Sequence, residues 1–427
     1  MNRSTSHPLS IFSSVLIGVA LLGVTSCGGD RVNMETIAES YVKLVLALGE
    51  HDGDYVDAYH GPEAWRADEQ GRTLDDIVDE AGKLQADLAG PDDLRRRYLS
   101  GQLRALEAHA RRLRGEVLTF DEESKALYDA VAPRRSAEYY QAILDRLAPL
   151  LPGDGELIDR YEAFKNDFII PSDRLDEVFR VAIDACRERT AVHVDLPPDE
   201  SFTIEYVTDK AWSGYNWYQG EFRSLIQVNT DLPIYIDRAI DLACHEGYPG
   251  HHVYNVLLEK TLLKENGWIE FSIYPLFSPQ SLIAEGTANF GITMAFPGDQ
   301  RIEYEREVLF PKAGLDATRV ETYYAVEEAK ELLAHAGNEA ARDYLDGTIS
   351  SQEAIDWMTT YAMMPRARAE QRIDFIDKYR SYVINYNLGQ DMVRAFVERE
   401  GGEEAASRWS VFVDLLSSPR LPSSLVE

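Results

Sequence analysis

From residue 34 to about residue 194 the apolar residues recur three and four positions apart, and almost none alternate as they would in a strand. Ile37, Tyr41, Leu44, Val45 and Leu48 make one stripe; Leu94, Tyr98, Leu99, Leu103, Leu106 and Leu113 make another within an Arg-rich stretch. Residues at that spacing share one face of an α-helix, so this half of the chain has to fold by packing helix against helix. The texture changes at Pro197 and Pro198. Residues 202–207 and 222–229 read as strands, joined by an aromatic loop over 212–220, and a small sheet is expected there. After Pro233 helical spacing returns and runs almost to Pro419. The expected fold is mainly α, with two helical lobes around a cleft: residues 27–195 form the first lobe, and 196–427 form the second, with the small sheet beside the helix that follows it.

The first residues are an address rather than part of that fold. Arg3 supplies a positive start, and residues 11–24 are an apolar run of about fourteen, shorter than the ~20 residues a helix needs to span a bilayer. The run ends in Leu22-Gly-Val-Thr-Ser-Cys27, which resembles the bacterial lipoprotein cleavage box. Residues 1–26 then read as a signal peptide and Cys27 as the lipidated first residue, an anchor that holds a soluble domain on a membrane. Gly28, rather than Asp, follows it, which resembles the outer-membrane sorting pattern. The expected location is the cell envelope outside the cytoplasm, facing the periplasm in a two-membraned organism.

Against 43 Lys and Arg stand 73 Asp and Glu, a formal charge of -30, so a phosphate backbone is repelled and nucleic-acid binding is excluded as a leading function. Cysteines occur at 27, 186 and 244, too few for a disulfide framework or an all-cysteine zinc site. Cys186, on a helical stripe, is expected to be an inert buried thiol. Any metal must therefore be held by His and carboxylate.

Three of the nine histidines fall within eight positions, in His245-Glu-Gly-Tyr-Pro-Gly-His-His252. In a standard zincin two histidines four apart on a helix hold one ion, and the Glu beside the first activates water. Here the spacing is six or seven, about 9 to 10 Å along a straight helix, whereas two zinc-bound nitrogens lie about 3 to 3.5 Å apart. Pro249 removes a backbone donor and Gly250 permits unusual dihedrals, so a bulge or kink at 247–250 is expected to restore convergence. On an unbroken wheel His252 shares the direction of His245, which makes it the rival of His251. A third ligand is sought in the apolar segment 281–289, where Glu285 either holds a cation or sits on a solvated helix edge.

These residues resemble a bacterial family, the domain of unknown function 885, many of whose members are lipoproteins and which is grouped with the gluzincin-type metallopeptidases. The likeness rests on Tyr41-Val-Lys-Leu-Val-Leu-Ala-Leu-Gly49, Asp54-Tyr-Val-Asp-Ala-Tyr-His-Gly-Pro62, the His245–His252 block, Ala284-Glu-Gly286 and Tyr386-Asn-Leu-Gly389. It departs at Arg380-Ser-Tyr382, where the family tends to carry Pro-Gly-Gln, and at Thr287, where an aromatic is common. The resemblance implies His245, His251 and Glu285 as ligands of one zinc ion, Glu246 as general base, and a gluzincin-like metallopeptidase. Tyr386 and Tyr382 are candidate donors to the oxyanion. The strand at 222–229 is expected to offer an edge to an extended peptide. Arg366, Arg368, Arg372 and Arg380 either hold a substrate carboxylate or serve as ordinary surface and ion-pair residues. The expected partners are a peptide or peptide-like substrate and, through Cys27, a membrane. Two other readings stand beside the peptidase: a catalytically silent lipoprotein that binds peptides or envelope partners, and a zinc amidase acting on cell-wall peptides.

Overall fold

The first stripe folds as the helix Met34–Gly49, which starts where the Asn33 side chain accepts a hydrogen bond from Glu35 N–H and buries Ile37, Tyr41, Leu44, Val45 and Leu48. The second folds as Leu94–Leu113, capped by Asp93, and buries Tyr98, Leu99, Leu103 and Leu106. The computed structural model describes residues 33–88, 90, 92–210 and 212–426. The signal peptide and Cys27 lie outside the described residues. The described chain is mainly helical, with two small sheets, and none of its helices is long and apolar enough to cross a membrane.

Five short strands occur among the described residues: β1 Val56–Tyr59, β2 Ser201–Val207, β3 Gly214–Gly220, β4 Arg223–Asn229 and β5 Ile273–Pro275. The segments expected as strands at 202–207 and 222–229 are β2 and β4. The aromatic segment between them, expected as a loop, is strand β3; Tyr, Trp and Tyr in close succession suit a pleated, half-buried surface. The sheet order is β2-β4-β3, with β4 parallel to β2 and antiparallel to β3. This corrects the expected edge. β4 is hydrogen-bonded on both sides, so the strand at 222–229 has no edge to offer, and β3 borders the sheet instead.

β1 pairs antiparallel with β5, more than two hundred residues away. Four residues with no alternation carry no strand signal, and this pair went unseen in the sequence. It is one of several ties across residue 195. One apolar core joins Tyr140, Phe168 and Cys186 to Phe290, Phe310 and Phe412; the other joins Tyr41, Leu103 and Phe120 to Leu282, Ile376 and Tyr382. Residues 33 onward pack as one unit.

The helices Pro279–Ala295 and Ile384–Gly401 cross at Gly286 and Gly389. A Cβ on Gly286 would lie 2.5 Å from the Gly389 carbonyl carbon, and one on Gly389 would lie 2.7 Å from the Leu282 carbonyl oxygen. Only glycine at both positions allows so close a crossing. Tyr382, just before the second helix, then reaches Glu285 with its hydroxyl at 2.9 Å, and Tyr386 packs against the Tyr382 ring.

Candidate metal centre

The backbone breaks where the sequence says it should. The helix Asp237–Leu242 runs into a π-helical turn, Ala243–Gly247, and a new helix begins at His251. Tyr248 N–H donates to the Ala243 carbonyl at 3.2 Å and Gly250 N–H to the Cys244 carbonyl at 2.9 Å, and the Tyr248–Pro249 bond is cis. A Cβ on Gly250 would fall 1.8 Å from the His245 carbonyl oxygen, so the chain can double back only through glycine. The outcome is that His245 Nε2 and His251 Nε2 lie 3.1 Å apart, against roughly 9 Å of axial rise for six residues of a straight helix.

The turn is fastened from behind by a disulfide between Cys244 and Cys186, whose Cα atoms are 5.6 Å apart. This corrects the reading of Cys186 as a free thiol. The helix Leu175–Ala191 docks on the π-helical turn and brings together two cysteines 58 positions apart, a pairing that depends on packing rather than on local pattern.

Glu285 enters from the Pro279–Ala295 helix. Its Oε2 lies 3.3 Å from His245 Nε2 and 3.6 Å from His251 Nε2, and it accepts no hydrogen bond although it is buried. Of the two environments open to Glu285, the interior is the one it occupies. His245 Nδ1 lies 2.9 Å from Asn289 Oδ1, an atom that only accepts, so Nδ1 carries the proton and Nε2 presents a lone pair. The Asn289 amide is itself oriented by donation from Nδ2 to the Tyr386 carbonyl at 2.9 Å. Sequence reasoning missed Asn289, although it stands one helical turn beyond Glu285 on the same face.

His252 is not part of this cluster. Its Nδ1 lies 2.8 Å from Ser224 Oγ and its Nε2 2.9 Å from Glu200 Oε2, fully buried behind the sheet. The break shifts the helical phase, so His251 rather than His252 faces His245. Tyr248 and Arg187 also donate to Glu200, at 2.6 Å each. Burial raises the Glu200 carboxyl, but the bonds from His252, Tyr248 and Arg187 outweigh it and hold the group at about 2, below its ordinary 4.5. A depressed carboxylate stabilises the folded chain above the unfolded value and loses that contribution as pH falls toward the folded one. The melting-temperature gap between wild type and Glu200→Gln should therefore be constant from about pH 5.5 to 7 and close between about pH 4.5 and 2. A gap that stays constant through that acid window would remove Glu200 as the source.

Desolvation pulls His251 down, yet Glu285, Glu246 and Asp57 push it up to about 9. Burial likewise raises Glu285, and the two imidazoles outweigh it and hold the carboxyl well below the ordinary range. Two ring nitrogens and a carboxylate oxygen, 3.1 to 3.6 Å apart, are a donor set able to hold a metal ion such as zinc. The residues fit the ion. Asn289→Ala frees the His245 ring to rotate and change tautomer, and should weaken zinc binding by about 10- to 100-fold, measured by chelator competition. Unchanged affinity would show that the amide has no part in orienting the ring.

The three donors line a cavity of about 1160 Å³ together with Glu246, Tyr382, Tyr386, Asp57, Asn216 and Tyr215. The Glu246 carboxylate lies against Gly214 of β3, and its backbone carbonyl accepts from Asn216 Nδ2 at 2.7 Å. Tyr382 donates to Glu285 Oε1 at 2.9 Å, so its hydroxyl is committed to that carboxylate, while Tyr386 lies beside it on the cavity wall. Asp57, unassigned in the sequence, is hydrogen-bonded by Tyr215, and burial raises its carboxyl to about 6. His109 and His335 pair with Asp52 and Asp391, each at 2.9 Å, apart from the cluster.

No known protein family matches the chain, and no curated protein matches it. Among solved structures it is similar to a candidate lipoprotein from Colwellia psychrerythraea, at 14% identity over 92% of this chain and 75% of that one, with a TM-score of 0.48. A chain described as BsuCP matches at 9% identity over 90% of this chain and 88% of that one, with a TM-score of 0.45. A candidate lipoprotein of unknown function from Shewanella oneidensis matches at 16% identity over 92% and 77%, with a TM-score of 0.41.

Proposed function

We propose that the protein is a zinc-dependent hydrolase of amide bonds, most simply a peptidase, tethered in the cell envelope through Cys27. The observation that carries the reading is the convergence of His245, His251 and the otherwise unbonded Oε2 of Glu285, with Glu246 on the same cavity wall. The likeness of the histidine block to the domain of unknown function 885 family points the same way. The Cys186–Cys244 bond suits an oxidising compartment.

Zinc held by His245, His251 and Glu285 would lower the pKa of water toward 7 and polarise a carbonyl. Glu246, beside His245 and against β3, would take the water proton and pass it to the leaving amine. Asn289 holds the His245 tautomer, and Tyr382 holds Glu285 through its other oxygen. The Tyr386 hydroxyl is the group on the wall to meet the developing oxyanion. The bordering strand β3, whose Gly214, Tyr215, Asn216 and Trp217 line the cavity, offers backbone groups to an extended peptide.

The test is metal analysis of the purified mature chain followed by exposure to peptide libraries, with cell-wall stem peptides as a separate arm. About one zinc per chain and zinc-dependent product release are expected. Cleavage of the stem peptides alone would narrow the reading to an amidase. A fully loaded protein that releases nothing from any arm is a binding protein.

A further inference from the structure

Seven cationic side chains line the cavity that holds the histidine cluster, and five of them have an acidic neighbour. Lys165 lies 3.4 Å from Asp237 and 3.1 Å from Glu327, Arg238 3.2 Å from Asp241, Arg301 2.8 Å from Asp241, and Lys378 3.0 Å from Asp54. Lys330, the fifth, lies over the Tyr161 ring and is attracted by Glu327. The remaining two are Arg368 and Arg372, four residues apart on the helix Arg366–Tyr379 and so on one face of it.

Among the described residues Arg368 and Arg372 make no ion pair and no hydrogen bond. Arg366 and Arg380, on the same segment, do: Arg366 pairs with Asp356 at 3.2 Å and Arg380 with Glu123 at 2.6 Å, both away from the cavity. Arg160, Arg189 and Arg408 are also half-buried without a carboxylate, but each donates to a backbone carbonyl; Arg368 and Arg372 differ in having, among the described residues, neither kind of acceptor. Burial pulls both below the ordinary arginine value, which measures how poorly they are solvated where they stand. Arg372 is held in place by its neighbours, its guanidinium 4.6 Å from the Phe375 ring centre and 5.7 Å from that of Tyr386. Tyr386 in turn feels the charges of Glu285 and Glu246, so Arg372 stands next to the catalytic wall, with Arg368 one turn, about 6 Å, farther along the helix.

A preorganised fork of N–H donors without an internal acceptor is what bidentate carboxylate recognition requires. We propose that Arg368 and Arg372 form the subsite for the free C-terminal carboxylate of a peptide substrate, so that short C-terminal fragments are the products. The inference deepens the hydrolase reading and rests on it for the word product, while the anion subsite stands on the two arginines alone. The whole chain is acidic, so the pair is also a local reversal of charge that draws the carboxylate end of a peptide into the cavity that Glu246 lines.

The experiment uses the zinc-loaded mature chain and matched peptides that end in a free acid or in an amide. Wild type should favour the acid by about 100-fold in kcat/KM, chiefly through KM. In Arg372→Ala the acid-to-amide ratio should collapse to within about threefold, Arg368→Ala should lower it by about tenfold, and Arg372→Lys should recover part of it, each variant retaining its zinc. The same peptide pairs are titrated onto Glu246→Gln protein, which reports binding without turnover. Cleavage of acid and amide alike overturns the subsite and leaves the hydrolase standing. No cleavage, with tighter binding of the acid that is lost in the Glu246→Gln, Arg372→Ala double variant, overturns the hydrolase and leaves the subsite. No cleavage and equal binding of the two peptides overturns both.

Discussion

Glu246→Gln is expected to lower turnover of a peptide substrate by about 10³-fold, within the range general acid–base groups supply, while the protein keeps its zinc and its melting temperature. The substitution is nearly isosteric and removes the negative charge from a buried side chain that lies against β3 and is not among the three converging donors. A loss of that size corresponds to about 4 kcal/mol of transition-state stabilisation. The comparison with His245→Ala is informative, because that change removes a donor atom and should abolish zinc and turnover together. Retention of more than a tenth of wild-type kcat in Glu246→Gln would mean that another group takes the proton; Asp57, buried close enough to influence both His251 and Glu285, would be the next to test.

The second large effect is on stability. The Cys186–Cys244 bond closes a loop over 58 positions, for which chain-entropy arguments give a contribution of about 4 kcal/mol. The double variant Cys186→Ala, Cys244→Ala, compared with wild type under non-reducing conditions, should lose about that much in denaturant unfolding. Cys244 also immediately precedes His245 in the π-helical turn, so the same variant should bind zinc more weakly, because the turn that carries the first donor is no longer tied to the helix Leu175–Ala191. Equal denaturation midpoints for oxidised and reduced protein would dispose of this account.

Local pattern made a good part of the architecture legible. The stripes at 37–48 and 94–113 became helices that bury them, except for Leu94 and Leu113 at the ends of the second, because a period of three to four residues has one low-energy solution in water. The break at 247–250 was legible because proline and glycine change what the backbone can do within a few residues. Strand β3 was misread because its aromatic and glycine residues suit a loop as well as a sheet border, and the partner strand that decides between them follows it. The short β1 had no signal of its own, since its partner β5 lies far along the chain.

Residue types and their near neighbours dictated the helical class, the doubling back at Pro249 and Gly250, and the identity of the groups able to bind a metal. Docking of distant elements decided the rest. It chose His251 over His252, turned Glu285 inward beside two imidazoles, put Asn289 behind His245, joined Cys186 to Cys244, and left Arg368 and Arg372 on the cavity wall with no ion pair among the described residues. The physical reason is range: periodicity and backbone chemistry act over a turn or two, whereas convergence across forty to a hundred residues depends on contacts such as Gly286 on Gly389, whose partners have no local relation to each other.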